Sequence, residues 1–191
     1  TYQAVSGAGK EGIDELDNQV REHSEGREMI ANILPSASAE KHYPIAFNLI
    51  PQIDVFCDNL YTKEEMKMIN ETKKIMEDNE MRITATTIRV PVYRSHSESV
   101  NIELEQDVDL DVMRAALAKF PGVTVQDDPA SQEYPMPLYT SEKDDVYVGR
   151  LRKDESCDKS YNLWVVGDQI RKGAALNTLQ IAETMIKNGW I

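Results

Sequence analysis

The chain has 191 residues, a hydrophobic fraction of 41% and a formal net charge of −12. This length and apolar content predict one globular domain, and the negative charge argues against nucleic-acid binding, because contact with phosphates needs a basic surface. No apolar run has membrane-spanning length and no signal peptide is visible, so we expect a cytoplasmic protein without a membrane partner.

The two cysteines and the first residue bear on compartment and completeness. Cys57 and Cys157 lie far apart without metal-ligand spacing, which is typical of free thiols in a reducing cytoplasm. Cys57 is expected to be a small buried residue, and Cys157 lies in a charged loop. The chain starts at Thr1 without an initiator methionine, so we expect a fragment or a chain whose first part is missing.

The N-terminal segment predicts a turn that leads into a helix. Gly7, Gly9 and Gly12 lie close to Ser6, and such a segment can bring backbone N–H groups near a ligand, although an ordinary turn has the same composition. The stretch 18–41 is polar and irregular, which predicts a helix fragment followed by a long surface excursion.

A second helix is predicted from a capping box. Thr62 and Glu65 have the required spacing, and the helix is expected to run to about Asp78. Its apolar arc, at helical spacing, consists of Met66, Met68, Ile69, Ile75 and Met76. Glu71 and Lys74 lie three residues apart on one edge, which by itself indicates a solvated surface ion pair.

Two strands are predicted on either side of His96, and we expect them to pair antiparallel. The alternating residues are Ile88, Val90 and Val92 within 83–92, and Val100, Ile102 and Leu104 beyond the histidine. A histidine at the bend between two strands is well placed as a general base. The alternative is a partly exposed histidine in a polar loop.

The remaining elements alternate irregularly, which predicts an α+β fold with a mixed sheet covered by helices. The expected elements are a helix over 109–119, strands over 123–125, 146–151 and 163–166, and a helix over 173–188 with Leu176, Leu179, Ala182, Met185 and Ile186 inward. The acidic run at Asp107, Asp109 and Asp111 lacks the glycine and terminal glutamate of a calcium loop, so no metal site is predicted.

Five motifs, taken together and in order, resemble those of aspartate-semialdehyde dehydrogenases. They are Thr1-Tyr-Gln-Ala-Val-Ser-Gly-Ala-Gly9, Asn70-Glu-Thr-Lys-Lys74, Arg89-Val-Pro-Val-Tyr-Arg-Ser-His96-Ser97, Val148-Gly-Arg-Leu-Arg-Lys153 and Trp164-Val-Val-Gly-Asp-Gln-Ile-Arg-Lys-Gly-Ala-Ala175. One departure is Thr87, where many members of that family have a cysteine that is not the nucleophile.

The resemblance implies a domain assignment for residues 1–191. They would form the C-terminal catalytic and dimerisation domain of the glyceraldehyde-3-phosphate-dehydrogenase-like type, with a largely antiparallel mixed sheet and helices on one face. The other face would be used in dimer contact, and the protein would be a homodimer or a homotetramer. The NADP-binding half and the nucleophilic cysteine, in a Ser-Asn-Cys segment, would lie before Thr1, so the isolated fragment is expected to be inactive.

The resemblance also implies a reaction and residue roles. The family converts aspartyl phosphate and NADPH into aspartate semialdehyde, NADP and phosphate through a cysteine thioester. His96 would be the acid/base residue and Gln3 would hold the acyl group. The substrate would be bound by Arg89 at its α-carboxylate, Glu71 at its ammonium and Lys74 at its phosphate, and NADP by Ser6, Gly7 and Gln169.

Two other interpretations remain open at this point. A stand-alone dimerisation or regulatory module that does not catalyse is disfavoured, because His96, Arg89, Glu71 and Lys74 are all retained. The related acetylglutamyl-phosphate reductase acts on a substrate with a blocked amino group, so an acidic partner for an ammonium would be out of place there.

Overall fold

The computed structural model describes residues 1–191 as two compact units, Thr1–Tyr93 and Arg94–Ile191. None of the helices combines the length and the apolar composition that a membrane-spanning segment needs.

The first unit contains two short parallel strands and two helices. Its elements are β1 (Tyr2–Ala4), a 3₁₀ turn (Val5–Ala8), α1 (Gly9–Ser24), α2 (Lys63–Ile75) and β2 (Ile88–Val90). The predicted turn into a helix is confirmed. Gly12 is required there, because a Cβ at this position would lie 2.6 Å from the Val5 carbonyl oxygen.

The segment after α1 is part of the core of the first unit. The apolar cluster consists of Val5, Leu16, Leu34, Ile45, Ala46 and Ile50. The carboxylate of Glu15 accepts hydrogen bonds from the backbone N–H groups of Asn32 (2.7 Å) and Ile33 (2.9 Å). The prediction of a surface excursion over 18–41 is therefore wrong around Leu34, where buried polar groups of α1 satisfy the irregular backbone.

The second helix, α2, begins as predicted. Thr62 Oγ1 accepts from the Glu65 N–H (3.2 Å) and Glu65 Oε2 accepts from the Thr62 N–H (2.8 Å), so the capping box is confirmed. The helix ends at Ile75, before the predicted end. Ile75 and Met76 are 77% and 60% exposed, so the predicted apolar arc is not buried at these two residues, which lie at the end of the helix.

The second unit is built on a mixed four-stranded arrangement. Its elements are β3 (His96–Glu103), α3 (Leu110–Lys119), β4 (Val123–Val125), a 3₁₀ turn (Pro129–Ser131), α4 (Pro137–Thr140), β5 (Val146–Lys153), β6 (Ser160–Gly167), a π turn (Arg171–Ala175) and α5 (Leu176–Lys187). β6 pairs antiparallel with both β3 and β5, and β4 pairs in parallel with β5. The predicted α+β class with a mixed sheet is confirmed.

A β-bulge interrupts β5 between Gly149 and Arg152. A Cβ on Gly149 would lie 2.2 Å from the Gln126 carbonyl oxygen, so only glycine fits this close approach.

The strands around His96 differ from the prediction. Only Ile88–Val90 of the stretch 83–92 is a strand, and it pairs in parallel with β1, so the expected antiparallel pair is wrong. Two physical causes shorten it. The Thr87 N–H donates to the carboxylate of Glu65 (2.9 Å) and not to a strand, and Pro91 has no N–H to extend the ladder. His96 is the first residue of β3.

The terminal helix is confirmed, but its inward face is narrower than predicted. Leu176, Ala182 and Met185 are half-buried, whereas Leu179 and Ile186 are 63% and 64% exposed. Apolar periodicity marks a face that can be buried, and the chain itself does not cover all of it.

Candidate active site

In the first unit, a cluster of polar side chains forms where β1 and β2 pair. Gln3 on β1 lies beside Arg89 on β2 in the parallel register. The side-chain amide of Gln3 donates to Glu64 Oε1 (3.0 Å), which extends from the first turn of α2. Gln3 and Arg89 are both buried. The structure therefore brings together two of the residues predicted for substrate contact.

Arg89 is only 3% exposed and is incompletely paired. Its Nη1 donates to the Ala4 carbonyl oxygen (2.7 Å), while its Nε has no hydrogen-bond partner. Burial lowers the pKa of the guanidinium from its ordinary value to about 10, and the negative charge of Glu64 acts in the opposite direction. A buried cation with a free N–H group is a strong candidate for binding an anion, because pairing would remove the cost of the unmade bond.

Glu64 was not selected from the sequence, although a signal for it was present. A Glu-x-x-Lys pair occurs twice in α2, as Glu64 with Lys67 and as Glu71 with Lys74. Seven residues span almost two turns, so both pairs lie on nearly the same side of the helix, about 10 Å apart along its axis. Residue spacing alone cannot distinguish them.

The structure places the two pairs in different surroundings. Glu64 contacts Gln3, and Lys67 Nζ lies 3.9 Å from Glu64 Oε2. Glu71 and Lys74 are exposed, and their side chains form neither an ion pair nor a hydrogen bond. The roles assigned to Glu71 and Lys74 stay a prediction, and the geometry adds Glu64 and Lys67 as candidates for the same roles.

Ser6 and Gly7 lie in the 3₁₀ turn between β1 and α1. Ser6 is buried, and its N–H donates to the Tyr93 carbonyl oxygen (3.2 Å), whereas Gly7 is exposed. The turn thus presents a residue without a side chain just before a 16-residue helix, a setting in which backbone approaches a ligand closely.

In the second unit, His96 and Gln169 lie at the same end of the sheet. His96 opens β3 and is paired in register with Gly167, the last residue of β6. The Gln169 side chain accepts a hydrogen bond at Oε1 from the Ser95 N–H (3.1 Å). Ser95, directly before the half-buried histidine, has a left-handed backbone (φ 70°).

Asp168 is a second residue that the sequence did not single out. Its buried carboxylate accepts from the N–H groups of Glu142, Ile170 and Arg171 and pairs with Arg94 Nε (2.7 Å). Burial raises the pKa of Asp168, but these N–H groups and Arg94 outweigh burial and lower it overall. Asp168 is therefore an anion held between the segments that carry His96 and Gln169.

Neither cysteine has the setting of a nucleophile. Cys157 is exposed in the turn between β5 and β6, at the opposite end of β6 from Gly167, about 20 Å away along the strand. Cys57 is half-buried, so it is less buried than expected; its backbone N–H donates to the Tyr61 carbonyl oxygen (2.7 Å).

The fold and these residues define a class of protein. The family model described as semialdehyde dehydrogenase, dimerisation domain, matches residues 1–172. The chain belongs to this family, and the resemblance inferred from the five motifs is confirmed.

Particular relatives make the comparison more specific. Aspartate-semialdehyde dehydrogenase of Aquifex aeolicus (strain VF5) is 48% identical over 191 residues, covering 100% of this chain and 54% of that protein. The Bacillus subtilis (strain 168) enzyme of the same name is 51% identical over 188 residues, covering 98% and 54%. The crystal structure of aspartate semialdehyde dehydrogenase II from Vibrio cholerae complexed with ASA has a TM-score of 0.86 and 42% identity, covering 97% of this chain and 53% of that one. The chain therefore spans about half the length of the relatives it matches.

Proposed function

We propose that this chain is the substrate-binding and dimerisation part of an NADP-dependent aspartate-semialdehyde dehydrogenase in amino-acid biosynthesis. The reaction converts L-aspartyl-4-phosphate and NADPH into L-aspartate 4-semialdehyde, NADP and phosphate. The observation that carries the proposal is the cluster of Gln3, Glu64 and Arg89, found in a chain of the semialdehyde dehydrogenase family.

The cluster fits the head group of an amino acid. An α-amino acid presents a carboxylate and an ammonium on adjacent atoms, so its site needs a cation and an anion side by side. The Arg89 guanidinium offers donors for the carboxylate, and its unpartnered Nε is available for one of them. Glu64 offers negative charge for the ammonium next to this arginine. Gln3, which already bonds Glu64, can position the acyl group.

The phosphate group needs a further cation. Lys67 lies beside Glu64 on the same helix, and Lys74 lies about two turns further on. Lys74 was predicted from the motif, and Lys67 is favoured by its position next to the cluster. Two glutamates are likewise alternatives for binding the ammonium. Glu71 was predicted from the motif, and Glu64 is favoured by its contact with Gln3.

His96 would act as general base and acid. A thiol near its ordinary pKa is a weak nucleophile at neutral pH, so a base must take its proton before it attacks the acyl phosphate. His96 is suited to this because the strand β3 fixes its backbone and its side chain is only half-buried. The same imidazole would return a proton when the tetrahedral hemithioacetal forms or breaks down.

The nicotinamide nucleotide supplies the hydride when bound. Ser6, Gly7 and Gln169 are the residues of this chain that would hold it. The exposed Gly7 beside the buried Ser6 fits a group that approaches the backbone closely. Gln169 fits because its carbonyl oxygen is occupied by the Ser95 N–H, which fixes the orientation of its side chain.

The proposal is tested by replacing His96 in the complete native polypeptide. His96→Ala should lower kcat by about 10²- to 10⁴-fold, the usual effect of losing a general base, while KM for the semialdehyde changes much less. The assay follows phosphate-dependent reduction of NADP by aspartate semialdehyde. A variant with normal kcat would show that His96 is not the general base.

A further inference from the structure

One carboxylate in the second unit joins three chain segments. Asp168 follows β6, and its side chain is 0% exposed. Its Oδ2 accepts from the Glu142 N–H (2.7 Å) and lies 2.7 Å from Arg94 Nε. Its Oδ1 accepts from the N–H groups of Ile170 (2.9 Å) and Arg171 (3.1 Å). Both oxygens are therefore used, and each holds a different part of the chain.

Two of these segments carry residues of the proposed site. Arg94 lies two residues before His96, so its ion pair fixes the chain immediately ahead of the histidine. Ile170 and Arg171 directly follow Gln169, so their bonds to Asp168 fix the turn that presents the glutamine. The two segments also meet directly, where the Ser95 N–H donates to Gln169 Oε1.

The third segment, residues 140–142, contacts both Asp168 and Ser95. Glu142 follows α4, and the preceding Ser141 and Thr140 hydroxyls lie 3.4 Å and 3.1 Å from Ser95 Oγ. Ser95 adopts a left-handed backbone conformation (φ 70°), which is unfavourable in a residue other than glycine. Such a conformation persists only where the surroundings hold it, and here the contacts organised by Asp168 do so.

We propose that Asp168 is the positioning residue that sets His96 and Gln169 in their working orientations. This inference rests on the proposed function. Asp168 does not touch the reacting atoms. It acts through Arg94 and Ser95 on the histidine, and through the turn at 169–171 on the glutamine. A single buried anion thereby links the acid/base residue to a residue proposed to contact the nucleotide.

A matched control exists in the same unit. Asp127 is also a buried carboxylate, with its side chain 1% exposed, and it pairs with Arg114 Nε at 2.9 Å. Its partner belongs to α3, away from the segments that carry His96 and Gln169. Asp127→Asn and Asp168→Asn therefore remove the same kind of charge from the same kind of pair.

The test compares these variants by steady-state kinetics in the protein as the cell makes it. Asp168→Asn should lower kcat by about 10- to 100-fold, the scale of a misplaced catalytic group, and should raise KM for NADP. The KM for the semialdehyde, whose proposed contacts are Arg89 and Glu64, should change little. Asp127→Asn should lose stability in urea but keep its kcat and both KM values.

A milder variant keeps the test decisive if Asp168→Asn does not fold. Arg94→Gln leaves Asp168 its three N–H donors and should give the same pattern with a smaller loss of kcat. If the foldable variants of Asp168 and Arg94 have the kinetics of Asp127→Asn, the proposal is overturned and Asp168 is only structural. If His96→Ala has a normal kcat, the proposed function itself is contradicted. That outcome is distinct from a failure of the role proposed for Asp168.

Discussion

At the scale of single residues, the proposed site depends on opposite charges placed side by side. Arg89 is buried with one donor unused, and Glu64 is the nearby charge that counteracts the lowering of the arginine's pKa. A site of this kind selects a ligand with both charges, because a ligand with one would leave the other group unpaired.

The assignment of the carboxylate is the first prediction at this scale. Glu64→Gln should lower kcat/KM for aspartate semialdehyde. The expected loss of transition-state stabilisation is about 1.5–3 kcal/mol, the value of a hydrogen bond to a charged group. Glu71→Gln, the same substitution seven residues along α2, should change it little. A larger loss of kcat/KM in Glu71→Gln than in Glu64→Gln would show that Glu71 binds the ammonium, as the motif predicted.

This pair of glutamates shows how far sequence reasoning can go at the residue scale. It found Gln3, Arg89, His96 and Gln169 as candidates from motifs. It did not separate Glu64 from Glu71, because a repeat of seven residues gives both the same helix face. It did not single out Asp168, because its role depends on the Glu142 N–H and on Arg94, which belong to segments distant in sequence.

At the scale of elements, the first turn of α2 is held by the two reciprocal hydrogen bonds of its capping box. Glu65 accepts from the Thr62 N–H at Oε2 and from the Thr87 N–H at Oε1, so one carboxylate joins the helix start to the segment before β2. Glu64 directly precedes Glu65 and Arg89 follows Thr87 by two residues, so both are placed in the same cluster.

Removing the cap tests this arrangement. Thr62→Ala should lower the free energy of unfolding by about 1–2 kcal/mol, since a buried Thr62 loses its bond to the Glu65 N–H. Thr72→Ala provides the control, because Thr72 is exposed within the same helix and alanine has the higher helix propensity. Urea unfolding of both variants measures the difference in their free energies of unfolding. Equal urea midpoints would show that the cap does not stabilise α2.

Elements with local signals were predictable, and those that depend on distant partners were not. The capping box at Thr62 was sufficient to locate the start of α2, and the helix predicted over 109–119 is observed as α3. The stretch 83–87 has strand-like composition, yet its Thr87 N–H bonds a glutamate, so composition overestimated the strand. The pairing of β2 with β1 could not be read from alternation, which is the same in parallel and antiparallel strands.

At the scale of the whole molecule, apolar surface remains uncovered by the chain itself. Leu179, Ile181 and Ile186 on α5 are more than half exposed, and Leu163 and Val165 on β6 are only half-buried. Surface of this kind in a member of a dimerisation-domain family indicates contact with other protein.

We predict a homodimer, alone or within a tetramer, with an interface of more than roughly 2,000 Å² in total, as obligate pairs require. Sedimentation of the protein as the cell makes it, at micromolar concentration, checks this. The expected result is a species of twice the polypeptide mass or a multiple of it. A clean monomer would contradict the prediction.

Substrate selectivity distinguishes the proposed reaction from that of the related acetylglutamyl-phosphate reductase. Phosphate-dependent reduction of NADP is followed with L-aspartate 4-semialdehyde and, in parallel, with the N-acetylated glutamate semialdehyde, whose amino group cannot carry the charge that Glu64 would bind. We predict turnover of the first substrate and a kcat/KM lower by at least about 10-fold for the second, since Glu64 would lose a charged hydrogen-bond donor worth about 1.5–3 kcal/mol. Equal or preferred use of the N-acetylated substrate, or no turnover of either, would contradict it.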